Sequence, residues 1–433
     1  MTPNAVTSKT VPRSRPRRAP LALALAASTL AALAAGTVPQ GAAAADASLP
    51  LGSAGLREVR TVTSLAPGVK LTRIVRGSKP ATAGTIGSSR RGPWRISVVT
   101  IDPDRARGHL ETTYGPDLAR TERVSDLART AGALVGVNAG YFTFGLNPKY
   151  PGDPVGLGLY RGAVLSEPAA VRTEVDVLLD AKTSKLRIGR LTWTGRVRNR
   201  TTGATLALDH LNHPPVVPKK CRQLKDPTDC GSSGDVVQFN RQFGRTPSGR
   251  GVEVVLGSSG CVVRTTRSRG TVLSSGQTSI QATGSDTRKV LAITRKGCLT
   301  RTVKLYDASH HRVSVSATSY GISARFQLTR NGQIVKHKGS GGYYARNPRT
   351  LVGSTASGKV VMVTIDGRRT TSVGATLAEE AAVAHSLGLK NSVNLDGGGS
   401  TTLAIAGKLA NVPSGGSERH VGDALVYVDR PLG

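Results

Sequence analysis

Three scarcities narrow what this chain can be. Aromatic residues make up 4% of its 433 residues, cysteine occurs four times, and 27 acidic side chains face 59 basic ones. With so few aromatics, the core has to come from Val, Ile, Leu and Ala. Four cysteines with no Cys-x-x-Cys pair, and no His-Glu-x-x-His box, leave no zinc site legible in the sequence. No metal ligand set and no cofactor is evident, although a divalent metal is not excluded. Beyond the N-terminal leader no apolar run approaches the roughly 20 residues of a membrane-spanning helix, so no span is expected in the mature chain. Glycine is plentiful at 51, but it clusters at turns and has no three-residue period, which excludes a collagen-like chain.

Residues 1–45 have the layout of an export signal. Lys9, Arg13, Arg15, Arg17 and Arg18 precede an apolar stretch from Ala19 to Ala35, and Ala43-Ala44-Ala45 offers a cleavage site before Asp46. A secreted product is expected, by general export in preference to the twin-arginine route that the Arg17–Arg18 pair leaves open. Removing that segment takes away five basic residues and no acidic one, leaving a formal charge of about +27.

The charge is unevenly spread. Between Ala181 and Thr350 there are 30 Lys and Arg against 7 Asp and Glu, whereas from Leu351 onward the signs balance. Such a field favours phosphate-bearing wall polymers, polyanionic glycans or extracellular nucleic acid as neighbours, with nucleic acid not expected as a specific partner. It is equally what an Arg-rich solubility trait would produce. Cys221, Cys230, Cys261 and Cys298 lie in this basic middle; of three possible pairings, Cys221 with Cys230 and Cys261 with Cys298 is favoured, as structural staples.

Short Val- and Thr-rich runs broken by Gly, Asn and Asp predict an α+β fold: a mixed β-sheet core, a strand–helix–strand unit near the C-terminus and a β-rich middle over about 169–318. Residues 46–125 read as lead-in strands and 126–433 as the main domain. Trp94–Ile101 alternates as a strand, Ser125 is placed to cap a short helix, and Leu134–Val137 delivers Asn138. In the middle, Val175–Leu179, Gly251–Leu256, Val290–Ile293 and Val313–Val315 are the clearest strands. Farther on, Val360–Ile365 reads as a strand ending at Asp366. A helix follows, with Thr376 and Glu379 as a capping box and Gly388 as its stop, and a strand then runs into Asp396-Gly397-Gly398-Gly399-Ser400-Thr401.

Three glycines in a row free the backbone to turn successive amides toward one anion, and Ser400 and Thr401 add hydroxyls. The Gly-x-x-x-x-Gly-Lys pattern of nucleotide loops is absent. A flexible hairpin tip would also use glycines. A carboxylate directly before them is an odd choice for a mere turn, which favours a site at Asp396.

Here the residues carry a resemblance. Asn394-Leu395-Asp396-Gly397-Gly398-Gly399-Ser400-Thr401-Thr402 resembles the signature of the phosphodiester glycosidase family. Matching segments precede and follow it: Val137–Phe142, Asn347–Thr350 with Gly353, Val363–Arg368, Gly374–Glu379, and Glu418-Arg419. The likeness is tight over about Arg346–Val428 and weak from Ala169 to Thr318, and Tyr320-Gly321-Ile322-Ser323 departs from it.

The resemblance implies hydrolysis of a glycosidic bond whose leaving group is a phosphate diester, with an N-acetylhexosamine 1-phosphodiester as the expected substrate. Ordinary glycosidases need an acid to protonate a poor leaving group and a second carboxylate as base or nucleophile. A phosphodiester leaves as the anion, so one carboxylate and a cationic cradle suffice. Asp396 is the first catalytic candidate, with Asp366 and Glu379 as reserves. Arg349, Arg419 and the Gly397–Gly399 amides are expected to hold phosphate; Asn138, Asn394, Ser400 and Thr401 are expected to bind substrate. Each has a plainer reading: Asp366 as a turn residue, Glu379 as a cap partner, the two arginines as surface ion pairs. Tyr141 and Phe142 read as core, and His385 and His420 as structural or exposed. A non-catalytic polyanion- or wall-binding protein and an extracellular phosphodiesterase remain the alternatives.

Overall fold

The strand Val360–Ile365 reads Val-Val-Met-Val-Thr-Ile, with no polar alternation, because both of its faces are covered. Val360 and Met362 pack with Val99, Ile101, Val352 and Val393 against a second sheet. Val361, Val363 and Ile365 pack with Trp94, Ile96 and Leu351 against the helix Leu377–Ser386. The computed structural model describes residues 48–295 and 297–433. The export segment expected over 1–45 lies outside the described residues.

The largest sheet has twelve strands, its main path running from Glu58–Ala66 through Val69–Arg76, Trp94–Ile101, Val360–Ile365, Arg349–Thr355, Leu389–Asn394 and Ser319–Arg330 to Gly158–Tyr160 and Ala163–Ser166. Every ladder between these neighbours is antiparallel. Val360–Ile365 and Leu389–Asn394, joined through the helix, point the same way but do not pair, since Arg349–Thr355 lies between them. That insertion is why the sheet expected to be mixed has antiparallel ladders throughout this path. The second sheet, Lys408–Leu409, Leu403–Ile405, Val135–Asn138, Asp423–Val428 and His109–Tyr114, stacks on one face of the first through Val137, Leu403, Leu425 and Tyr427.

The middle of the chain builds two smaller sheets of five and four strands around their own core, into which the helix Asp286–Thr294 sends Val290 and Ile293. The strand expected at Val290–Ile293 is therefore a helical turn. Four apolar residues in a row do not distinguish the two periods, and here Val290 and Ile293 face the core at a spacing of three. Cys221 pairs with Cys230 and Cys261 with Cys298 in this middle, and no cysteine among the described residues is free. Residues 46–125, read as a lead-in, supply strands to both main sheets, and Ser48–Gly433 forms one compact unit. Among the described residues no helix is long and apolar enough to cross a membrane.

The helix Val124–Thr130 begins at Arg123, not with Ser125 as its cap. The carboxylate of Glu418, almost 300 residues away, accepts from the Ser125 amide and hydroxyl, each at 2.7 Å, and does the work of a capping side chain. The helix Leu377–Ser386 has the capping box its sequence predicts, Thr376 Oγ1 accepting from the Glu379 amide and Glu379 Oε2 from the Thr376 amide. Gly388, at φ +73°, follows its last turn.

Candidate active site

Asp396 follows the strand Leu389–Asn394, where the chain leaves the large sheet and crosses to Leu403–Ile405 in the second. One buried amide fastens that crossing. Asn138 Nδ2 donates to the Asp396 carbonyl at 2.6 Å, while its Oδ1 accepts from Thr350 Oγ1 at 2.8 Å and from the Thr402 amide at 3.1 Å. Expected as a substrate ligand, Asn138 is wholly buried and has both ends of its side chain spent on holding the loop.

A cavity of about 290 Å³ opens over Asp396, lined by Tyr141, Gly342, Tyr343, Asn347, Arg349, Arg368, Asn394, Gly397 and Gly398. Half-buried here, the Asp396 carboxyl is pushed up to about 6, chiefly by burial; the Ser400 hydroxyl, the Gly397 amide and the charges of Arg419 and Arg325 hold it from rising farther. It remains predominantly ionised at neutral pH. Asn394 also faces the cavity; its Nδ2 donates to the Tyr141 hydroxyl at 2.7 Å, and its buried Oδ1 has no partner.

The glycines do something other than offer amides. Gly397 N–H donates to the Asp396 carboxylate at 3.0 Å and Gly398 N–H to the Pro348 carbonyl at 2.9 Å, so two of the three expected phosphate donors are already committed. Their use is clearance. A β-carbon on Gly398, which sits at φ +61°, would press on the Arg368 guanidinium, and one on Gly399 would collide with that of Arg419. Two cations therefore lie directly over the loop.

Both are short of partners. Arg368, in the left-handed region at φ +58°, donates through Nε and Nη2 only to Asn347 Oδ1. Arg419 rests on the ring of Phe144 at 4.7 Å and makes no hydrogen bond or ion pair among the described residues. Arg349 is tied by Nε to Ala375 O and by Nη2 to Tyr343 O and Ala345 O, leaving Nη1 unpartnered. Burial and the like charges of Arg419 and Arg349 lower the pKa of Arg368. A fourth guanidinium, Arg325, lies over the Tyr141 ring at 4.7 Å and the Tyr343 ring at 5.3 Å and donates to the Tyr343 hydroxyl. Arg368, Arg419 and Arg325 have no ion-paired carboxylate among the described residues, and together with Arg349, whose Nε faces Glu380 at 3.7 Å, they form a site for an anion.

The reserve carboxylates are not brought to this cavity. Asp366 accepts from Asn411 Nδ2 at 2.8 Å and from the Val412 amide at 3.1 Å, organising the chain after Leu409; burial pushes it up to about 6. Glu379 joins its cap to Arg346 Nη2 at 2.7 Å. Ser400 is buried against the Asp396 carboxylate, and Thr401 Oγ1 is buried without a partner; neither lines the cavity.

Sequence reasoning missed Arg368, Arg325, Asn347 and Tyr343, and it set Tyr141 aside as core. It also missed two buried acids behind the site. Asp423, pushed up to about 6 by burial, accepts from the Gly140 amide and the Tyr160 hydroxyl. Glu380, pushed up to about 8 by burial, lies 3.7 Å from Arg349 Nε. Arg368 falls inside a motif already matched, which was the signal available for it.

Residues 250–428 match the phosphodiester glycosidase family. The stretch includes Asp396, the glycines and all four arginines. A curated relative, the SPbeta prophage-derived uncharacterized protein YomE of Bacillus subtilis (strain 168), is 40% identical over 80 residues, 18% of this chain. The match covers 12% of that relative's length. Among solved structures, a protein described as exported, from Burkholderia pseudomallei K96243, superposes with a TM-score of 0.74 at 24% identity, over 88% of this chain and 98% of that one. A hypothetical protein from Synechocystis gives 0.61 at 18% identity, over 87% and 68%. These two likenesses establish that the fold is shared.

Proposed function

We propose that this protein is a secreted hydrolase that cleaves the glycosidic bond of a sugar 1-phosphodiester, with an N-acetylhexosamine as the sugar and a phosphate-containing glycan or wall polymer as the source. The observation that carries the reading is the pairing of one ionised carboxylate, Asp396, with the guanidiniums of Arg368 and Arg419, neither of which has an ion-paired carboxylate among the described residues. The phosphate would lie between Arg368, Arg419 and Nη1 of Arg349, and the sugar against Tyr141 and Asn394.

With its phosphate held by three cations, the leaving group departs as an anion and needs no proton. The protein's tasks are then to stabilise that charge and to supply one base or nucleophile. Asp396 takes the second task, either attacking the anomeric carbon or taking a proton from the water that does. Its raised pKa makes it a better base than an exposed aspartate, while it stays mostly charged at pH 7. The amide of Gly397 and the Ser400 hydroxyl hold the carboxylate in place for the reaction.

The test is incubation of purified protein with a GlcNAc 1-phosphodiester in ¹⁸O-labelled water. Free sugar carrying the label is the expected product. Label in the phosphate would mean cleavage at phosphorus and would replace this reading with a phosphodiesterase. No turnover on any sugar phosphodiester, with retained binding, would make the cavity a polyanion-binding site.

A further inference from the structure

Away from the cavity, two neighbouring histidines each place Nδ1 against a carboxylate. His210 Nδ1 lies 2.6 Å from Glu167 Oε1, and His213 Nδ1 lies 2.7 Å from Asp153 Oδ2. Their rings are 5.3 Å apart, and each side chain is 38% exposed. Glu167 is fixed in turn by the Leu211 amide at 2.9 Å. Asp153 is completely buried, and neither of its oxygens has a well-aligned hydrogen bond, so the His213 ring is its one close polar neighbour at ion-pair distance.

The electrostatic setting runs against the rest of the chain. In a sequence with 59 basic residues, the foremost charged groups acting on these histidines are the carboxylates Glu167, Asp153 and Asp235. Three carboxylates around two imidazoles make a locally acidic spot, suited to a cation.

The orientation of the rings says which kind. When Nδ1–H of an imidazole donates to a carboxylate, the tautomer is fixed and the lone pair of Nε2 becomes more basic, which is how proteins commonly prepare a histidine to ligate a metal. Nδ1 of His210 is hydrogen-bonded to Glu167 and Nδ1 of His213 lies at ion-pair distance from Asp153, so Nε2 is the nitrogen left on each. Nitrogen donors of this kind suit Zn²⁺, Ni²⁺ and Cu²⁺, whereas Mg²⁺ and Ca²⁺ require oxygen.

We propose that His210 and His213 form a two-histidine half-site for a divalent transition-metal ion, with Glu167 and Asp153 as the carboxylates that orient them. No third ligand among the described residues completes a cluster, so the ion keeps water or an outside donor in its remaining positions. The half-site joins two parts of the fold. Asp153 belongs to the loop bridged at Phe142–Pro154, and His210 to the short strand paired with Val237–Gln238. Binding competes with protons, because both carboxylates favour the imidazolium form, and it weakens below neutral pH.

Calorimetric titration of the folded, secreted chain with Zn²⁺ at pH 7.5 tests this. One saturable ion per chain is expected, lost in His210→Gln and in His213→Gln. Affinity should fall roughly 10- to 100-fold in Glu167→Gln and Asp153→Asn, the usual cost of removing a carboxylate that orients a metal-binding imidazole. His213→Gln strands Asp153 in the interior and can fail to fold, so the half-exposed His210→Gln, verified by circular dichroism, is the deciding variant. Electron paramagnetic resonance of the Cu²⁺-loaded wild type should show two nitrogen ligands. Absence of saturable binding in the wild type, or undiminished binding in folded His210→Gln, would overturn the proposal.

Discussion

The guanidinium of Arg419 occupies the space that any side chain on Gly399 would need. The glycine run is thus read by what lies above it. Gly399→Ala should displace Arg419 while sparing the rest of the loop, since Gly399 is not among the glycines with positive φ. A displacement of about 1 Å in a positioning group can cost on the order of 100-fold in rate. Steady-state kinetics should show kcat/KM falling by roughly 10- to 100-fold with Tm nearly unchanged.

Asp396→Asn keeps the size of the side chain and removes the charge. Turnover should fall roughly 100-fold or more, as for other positioned acid–base groups, and the variant should remain folded. A folded Asn variant that cleaves at the wild-type rate would remove Asp396 from the mechanism.

The pH profile follows from the same carboxyl. If the ionised form is the active one, kcat/KM should rise with pH to a plateau, with its midpoint near 6, where burial has moved Asp396, and not near the value of an exposed aspartate. Asp366 and Asp423 are also pushed up to about 6, so the limb belongs to Asp396 only if the residual activity of Asp396→Asn lacks it.

Stability should run the opposite way. Asp366, Asp396 and Asp423 at about 6 and Glu380 at about 8 all bind protons more tightly in the folded chain than in the unfolded one. Between about pH 4 and pH 8 the native state therefore holds more protons, and stability is lost as pH rises through the folded values. Differential scanning calorimetry should find a higher Tm at pH 5 than at pH 8. Glu380→Gln should lessen the loss above pH 7.

Arg368 and Asn138 separate binding from holding. Arg368 is exposed, and its hydrogen bonds go only to Asn347, so Arg368→Ala should raise KM for an anionic substrate by roughly 10-fold, the scale of a lost charge-assisted hydrogen bond, without lowering Tm. Asn138→Ala strips partners from the Asp396 carbonyl, Thr350 and the Thr402 amide in the interior. It should cost on the order of 3 kcal/mol in chemical denaturation.

Much of the frame was legible because its signals are local. The capping box at Thr376 and Glu379, the apolar run Val360–Ile365 and the carboxylate before three glycines each lie within a few consecutive residues. Of the cationic cradle, Arg349 and Arg419 were expected through their motifs, whereas Arg368 and Arg325 were not, because an arginine carries little information in a chain with 59 basic residues. What distinguishes Arg368, Arg419 and Arg325 from the others is the company they keep after folding, and that company comes from separate segments. The same holds for Glu418, whose role as a cap depends on a helix nearly 300 residues earlier. Asn138 was misjudged for a related reason: a strand-end amide looks alike whether it faces a ligand or bridges two sheets.

That bridge sets an order of events. The Asp396 loop is held by an amide from the second sheet, which also grips Thr350 in the first, so neither sheet alone can fix the loop. A chain returning from denaturant can regain its strand signal while the two sheets are still apart. Its capacity to turn over substrate should reappear only with their docking, and the lag between the two recoveries measures that last step.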